Sequence, residues 1–221
     1  MEISIDTELK RAAPNLVLGV VYGTVQVVKH APQLWEEIEK RIEELQTTVS
    51  LESIDSIPSI QALRNAYKAL GKDPSRYRGS QEALLRRILQ GKGLYKINNI
   101  VDINNLISLE SLHSVGSYDV EKLESPIVFR VGKPEEFYKG IGKGIINVAN
   151  LPVFADALGP FGSPTSDSEK AMITLTTSKV MTVIMSFSGS SGLHAHLQRL
   201  KSLWRDYAGA SDEQLEIAII E

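Results

Sequence analysis

Cysteine is absent from the 221 residues of this chain. That absence excludes disulfides, thiolate metal sites and cysteine nucleophiles together. Long hydrophobic runs are also missing, since no window approaches the roughly 18 uninterrupted apolar residues of a membrane span. No membrane partner is therefore expected. The N-terminus, MEISIDTELKR, carries acids before any apolar run and does not read as a secretory signal, so the expected location is cytoplasmic. No phosphate loop of the Walker type, no HExxH and no GxSxG occurs. No cofactor is expected. The run KGIGKG at Lys139–Gly144 lacks the following Ser or Thr of a phosphate loop and reads as a flexible hairpin. His194 and His196 are two residues apart on a predicted helix, where neighbours on one face are three or four apart, so they form no metal site.

What remains is ordinary for a globular protein, with 43% apolar and 23% charged residues. The net charge of −3 conceals an asymmetry. Between Arg64 and Lys96 stand nine basic residues and two acids, a local charge of +7 in a chain whose remainder carries −10. Such a block is a candidate polyanion surface, and a solvated helix face is the competing reading.

The pattern of elements is mixed. Strands are predicted at Ile3–Ile5 and over the valine-rich stretch from Asn15 to Lys29. Pro32 opens an amphipathic helix with Leu34, Trp35, Ile38, Ile42 and Leu45 on one face. Further helices run from Pro58 to a C-capping Gly71, from an N-capping Ser80 to Gly91 and Gly93, and over IVDINNLISLES. After Asp119 the character turns to β, with strands at Pro126–Gly132, Leu151–Asp156 and Lys179–Phe187. Gly159–Lys170 reads as a long loop made mobile by glycine. A helix carrying Leu193, Leu197, Leu200 and Trp204 follows, and EQLEIAII returns as an edge strand. Strands and helices do not alternate regularly, which predicts an α+β fold and one domain over residues 1–221.

Two stretches carry candidate chemistry. Lys96–Leu123 sets the pairs Asn98–Asn99 and Asn104–Asn105 in an apolar frame and adds a Gly-Ser-Tyr-Asp turn. Buried amides need partners, from the backbone or from a ligand, because an unsatisfied polar group costs about 1–3 kcal/mol. The Gly159–Lys170 loop supplies hydroxyls and carboxylates at Ser163, Thr165, Ser166, Asp167, Ser168 and Glu169. Glu169 stands where the chain re-enters the core, placed either to accept from a ligand hydroxyl or to stabilise a turn. His113 is a weaker candidate for acid–base work.

The runs KINNIVDINNLISLES and YDVEKLESPIVFRVGKPEEF resemble the editing and tRNA-binding domain, the B3/B4 domain, of the phenylalanyl-tRNA synthetase β subunit. The matches fall at Ile97–Leu106, Gly116–Leu123 and Ile127–Glu136, inside a family-like core of about residues 56–187. N-terminal strands and a helix, and a C-terminal helix, are added to that core. The chain is too short to hold a synthetase catalytic domain, so it is similar to stand-alone proteins of this domain. The resemblance implies tRNA or aminoacyl-tRNA as partner rather than DNA. It also implies a pocket lined by Asn104, Asn105, Gly116, Ser117 and Glu169. The family's histidine falls on Gly116. Arg76, Arg78, Arg86, Arg87 and Lys92 of the basic block would contact the tRNA backbone. Three functions are compatible: a trans-acting aminoacyl-tRNA deacylase, a non-catalytic module binding tRNA, an amino acid or a nucleoside, and a pocket for an unrelated metabolite.

Overall fold

The computed structural model describes residues 2–221. β1 (Ile3–Ile5), α1 (Thr7–Ala12) and β2 (Val17–Thr24) come first. Four helices follow without a strand between them: α2 (Pro32–Thr48), α3 (Pro58–Ala69), α4 (Ser80–Leu89) and α5 (Asn99–Ser111). The β region comprises β3 (Ser114–Asp119), β4 (Ile127–Val131), β5 (Phe137–Lys139), β6 (Ile145–Asn147), β7 (Pro152–Asp156), β8 (Gly159–Gly162) and β9 (Lys179–Ser186). α6 (Leu193–Ala208) and β10 (Leu215–Ile220) close the chain. This is the α+β class that the sequence predicts.

Two four-stranded sheets organise the molecule, one in the order β1-β4-β7-β8 and one in the order β10-β2-β9-β3. The second is antiparallel throughout, and β9 runs at its centre between β2 and β3. β9 reads KVMTVIMS, without the alternation of a half-exposed strand, because both its faces are covered. Val180 and Ile184 point to a core shared with α2, α5 and α6. Met181, Val183 and Met185 point the other way, to a core shared with the first sheet, where Phe129 and Phe154 stack with ring centroids 4.2 Å apart. The layers are therefore helices, sheet, sheet. A small third cluster joins α2, α3, α4 and α5 through Leu45, Ile60, Leu85, Ile88 and Leu109. At Gly19 in β2 the helix layer comes so close that an added Cβ would lie 2.8 Å from Leu193 Cδ1 of α6.

Several sequence expectations need correction. Gly-Ser-Tyr-Asp is not a turn but part of β3, paired residue by residue with β9 from Ser114 opposite Met185 to Asp119 opposite Val180. Gly159–Lys170 is a loop only after Gly162, because Gly159–Gly162 forms β8 against β7. Its remainder is not loosened by glycine. The hydroxyls of Tyr67, Tyr118 and Tyr138 bond Thr165, Asp167 and Ser163. The strand expected to reach Lys29 ends at Thr24, since Val28 leaves the sheet to bond Asn99. Gly79, rather than Ser80, occupies the N-cap of α4. KGIGKG does form the turn of a hairpin, between β5 and β6.

Candidate functional site

α5 is enclosed by α2, α4, α6 and β3, which accounts for its amides. Asn98 caps the helix, its side chain accepting from Val101 N–H at 3.0 Å. Fully buried Asn99 is a structural hub. Its Oδ1 accepts from Val28 N–H at 2.9 Å and Ile100 N–H at 3.0 Å, and its Nδ2 donates to Gln26 O at 2.9 Å and Tyr207 O at 2.8 Å. Asp102, also buried, accepts from Trp35 Nε1 at 2.7 Å and from Ile97 N–H at 3.1 Å. Burial raises its pKa, and the Trp35 hydrogen bond opposes that rise. The partners of these three groups are the protein's own, so they contribute to stability rather than to a ligand site.

One turn further along α5 the helix borders a cavity of about 200 Å³. Val101 and Asn104 line it from α5, Ser117 from β3, Ile141 from the β5–β6 hairpin, and Asp167, Met172 and Ile173 from the segment after β8. Ile97, just before the helix, completes the wall. Ile97, Ile141 and Met172 are exposed at the rim, so the mouth is apolar. Two contacts hold its parts together. Ile141 N–H donates to Asp167 O at 3.0 Å, and Gly140 forms a bridge with Ser168.

The polar groups inside are few. The Ser117 hydroxyl donates to Asn104 Oδ1 at 3.0 Å and shares a hydrogen bond with Thr182 Oγ1 at 2.7 Å. Among the described residues, none accepts from the Asn104 amide nitrogen. Asp167 Oδ1 accepts from the Tyr118 hydroxyl at 2.9 Å and from Ser163 N–H at 3.3 Å. Burial pushes the Asp167 carboxyl up to about 7, although both hydrogen bonds and the charge of Lys143 act in the opposite direction. The site thus combines an apolar mouth, an amide donor, a hydroxyl and a carboxyl that titrates near neutrality.

The residues expected at the site are distributed unequally. Asn104 and Ser117 meet in the cavity. Asn105 is half-buried one position away and does not line it. Gly116 faces the opposite side of the sheet, where a Cβ would collide with the Tyr118 hydroxyl and lie 2.8 Å from its Cζ. A Cβ on Gly162 would crowd the same ring, 2.7 Å from its Cζ, so the two glycines form a slot through which Tyr118 reaches Asp167. Glu169 points outward and pairs with Lys139 at 2.9 Å. His113 is buried outside the cavity and neutral, its pKa lowered to about 4 by burial and then by the charge of His196. Asp167 and the rim isoleucines were not singled out in the sequence, although Asp167 sits in the loop chosen for its carboxylates.

The basic block divides as well. Buried Glu82 holds Arg64 through contacts of 3.0 Å, Arg86 at 2.8 Å and Arg78 at 3.6 Å. Asp55 adds contacts to Arg64 at 3.1 Å and Arg86 at 2.6 Å. These three guanidinium groups are therefore largely neutralised within the protein. Arg76, with a side chain 83% exposed, and Lys92 remain open to solvent. Arg87 donates to Gly93 O at 2.7 Å and lies over the Tyr95 ring, 4.1 Å from its centroid.

A family model of the B3/4 domain matches residues 62–203. No curated protein matches the sequence. Among solved structures, the chain resembles an N-terminal fragment of the phenylalanyl-tRNA synthetase beta-subunit from Pyrococcus horikoshii, with a TM-score of 0.46 and 13% identity. The alignment covers 99% of this chain and 50% of that fragment, so the chain spans about half its length.

Proposed function

The chain belongs to the B3/4 domain family, and from that membership we propose that it acts on aminoacyl-tRNA. The aminoacyl end enters the cavity between α5, β3 and the segment after β8, and the ester to the terminal ribose is hydrolysed there. The observation that carries this reading is the position of the cavity. Its rim residue Ile97 lies directly downstream of Lys92 and Lys96, so the basic segment leads into an apolar mouth with polar groups behind it. Residues 1–221 act as one domain, with the family-like core supplying the residues that line the cavity.

The apolar wall suits an amino-acid side chain, and the Asn104 amide nitrogen suits a carbonyl oxygen that gains charge as water adds. Asp167 is the one ionisable side chain among the described residues that line the cavity. With a pKa of about 7, it is half carboxylate near neutrality, a good match for a general base. It takes a proton from water as the water oxygen bonds to the ester carbon. The bond to the ribose oxygen then breaks, and that oxygen receives the proton. The products are a free amino acid and a tRNA with a free terminal hydroxyl. Arg76 and Lys92 contact the phosphate backbone, which makes binding weaken steeply with salt.

The test is a panel of mischarged tRNAs incubated with wild type, Asp167→Asn and Ser117→Ala. Ester hydrolysis above the spontaneous rate is expected for wild type with at least one pair, and the asparagine variant should lose it. No hydrolysis of any pair would sink the enzymatic reading. A second reading, binding without turnover, is favoured by one observation: the Ser117 hydroxyl is already engaged by Asn104 Oδ1 and Thr182 Oγ1. Salt-sensitive tRNA binding with no turnover would select it.

A further inference from the structure

Tyr95 is a large aromatic side chain left 67% exposed, in the segment that joins the basic helix α4 to the cavity. It is exposed without being free to wander. Arg87 lies under one face of the ring, 4.1 Å from its centroid, and is itself fixed by its bond to Gly93 O at 2.7 Å. Arg87 also reaches Lys92 O at 3.4 Å, so one guanidinium binds two carbonyls of the segment and supports its aromatic ring. Gly91 and Gly93 take positive φ values of 71° and 60°, which permits the chain to turn back over Arg87. Lys92 and Lys96, both exposed, stand three residues before the ring and one after it in sequence, and Lys96 Nζ lies 4.5 Å from the Trp35 ring centroid and 3.8 Å from Glu39. A cation-backed aromatic with basic neighbours is the combination that binds single-stranded nucleic acid, where bases stack and phosphates pair.

The placement narrows the ligand. Tyr95 stands two residues before Ile97, which lines the cavity, so their Cα atoms are at most about 7 Å apart. The base and the aminoacyl group of a charged tRNA leave the same terminal ribose. A base on Tyr95 and an aminoacyl group in the cavity would therefore diverge over about the span of one nucleotide.

We propose that Tyr95, supported by Arg87, is a stacking shelf for the terminal base of a single-stranded RNA 3′ end. This rests on the reading of the cavity as the aminoacyl site, and it adds the group that holds the nucleotide beside it. Arg87 presets the ring, so little side-chain freedom is lost on binding.

The experiment uses the 221-residue chain, three substitutions of Tyr95 and one of Ser117. Tyr95→Trp places an exposed indole beside Trp35 and Trp204, which are both buried. Its fluorescence should be quenched by a hexanucleotide ending in CCA and not by the same oligonucleotide with an abasic last position. Tyr95→Ala should bind uncharged tRNA about 5- to 150-fold more weakly, the equivalent of about 1–3 kcal/mol of stacking. Tyr95→Phe should stay within about threefold of wild type. The Tyr95 ring is mostly exposed, so the substitutions are not expected to unfold the chain. Equal quenching by both oligonucleotides, or tRNA affinity of Tyr95→Ala within twofold of wild type, overturns the shelf. A shelf that passes these tests while Ser117→Leu leaves the deacylation panel unchanged would overturn the cavity reading alone.

Discussion

Removing the Asn99 side chain should unsettle the fold far more than removing its neighbour in either asparagine pair. Asn99 is fully buried, and Asn99→Ala leaves Val28 N–H, Gln26 O and Tyr207 O without partners. These groups are part-buried, and each costs up to about 1–3 kcal/mol when orphaned. The three belong to one network and do not add fully, and the expected loss is about 3–5 kcal/mol. Against a typical total of about 5–15 kcal/mol that is a large share. Asn99→Asp keeps the size and both acceptor bonds but turns a carboxylate toward two carbonyl oxygens. It should be at least as damaging at neutral pH, and part of the loss should return on acidification, when a protonated carboxyl donates again. Asn105→Ala removes a half-buried side chain with no hydrogen bond among the described residues and should cost about 0.5 kcal/mol or less. Urea denaturation followed by tryptophan fluorescence reads all three. The midpoint of Asn99→Ala should fall by on the order of 1 M, given slopes of about 1–3 kcal/mol per molar. Asn99 variants within about 1 kcal/mol of wild type would refute the hub.

Asp167 has a folded pKa of about 7 against an ordinary 3.8, so the folded state holds its proton more tightly than the unfolded state. The stability linked to that proton is complete below about pH 4 and lost progressively up to about 7; melting temperatures at pH 5 and 8 should therefore differ more for wild type than for Asp167→Asn. The arginines should separate by role. Arg76→Ala and Lys92→Ala should weaken tRNA binding and lower the salt slope by about one each, whereas Arg86→Ala should chiefly lower the melting temperature because it strips a partner from buried Glu82. Gly116→His should cost about 1–3 kcal/mol through collision with Tyr118 and bring no gain in deacylation; a variant melting like wild type would show that the slot is not filled as described.

The helices were legible because their signals are local. Pro32 and Pro58 open α2 and α3, and the apolar face of α6 falls at Leu193, Leu197, Leu200 and Trp204. β3 was read as a turn because Gly116 and Ser117 carry no strand preference, and the pairing that makes them a strand comes from β9, more than 60 residues away. Asn104 and Ser117, which meet in the structure, could be grouped beforehand by resemblance to a family. Gly116 could not be assigned to the other side of the sheet, because a glycine has no side chain to reveal which face it serves. Asp167 was hidden for a related reason. Its neighbours in sequence are as polar as it is, and only the burial supplied by Tyr118 and the β5–β6 hairpin sets its carboxyl apart.

The central position of β9 also sets an order in time. β2 pairs only with β9 and β10, and both large cores take one face of β9. A chain leaving the ribosome has made β2 by residue 24 and must add about 155 more residues before β9 begins at Lys179. At about 5–20 residues per second that is a wait of roughly 8–30 s. Throughout it the valine-rich β2 has neither of its partners, and α5 has no sheet to close on. A nascent chain ending at residue 178 is accordingly expected to be cut readily by protease within β2, and a chain that extends to residue 221 to be protected there.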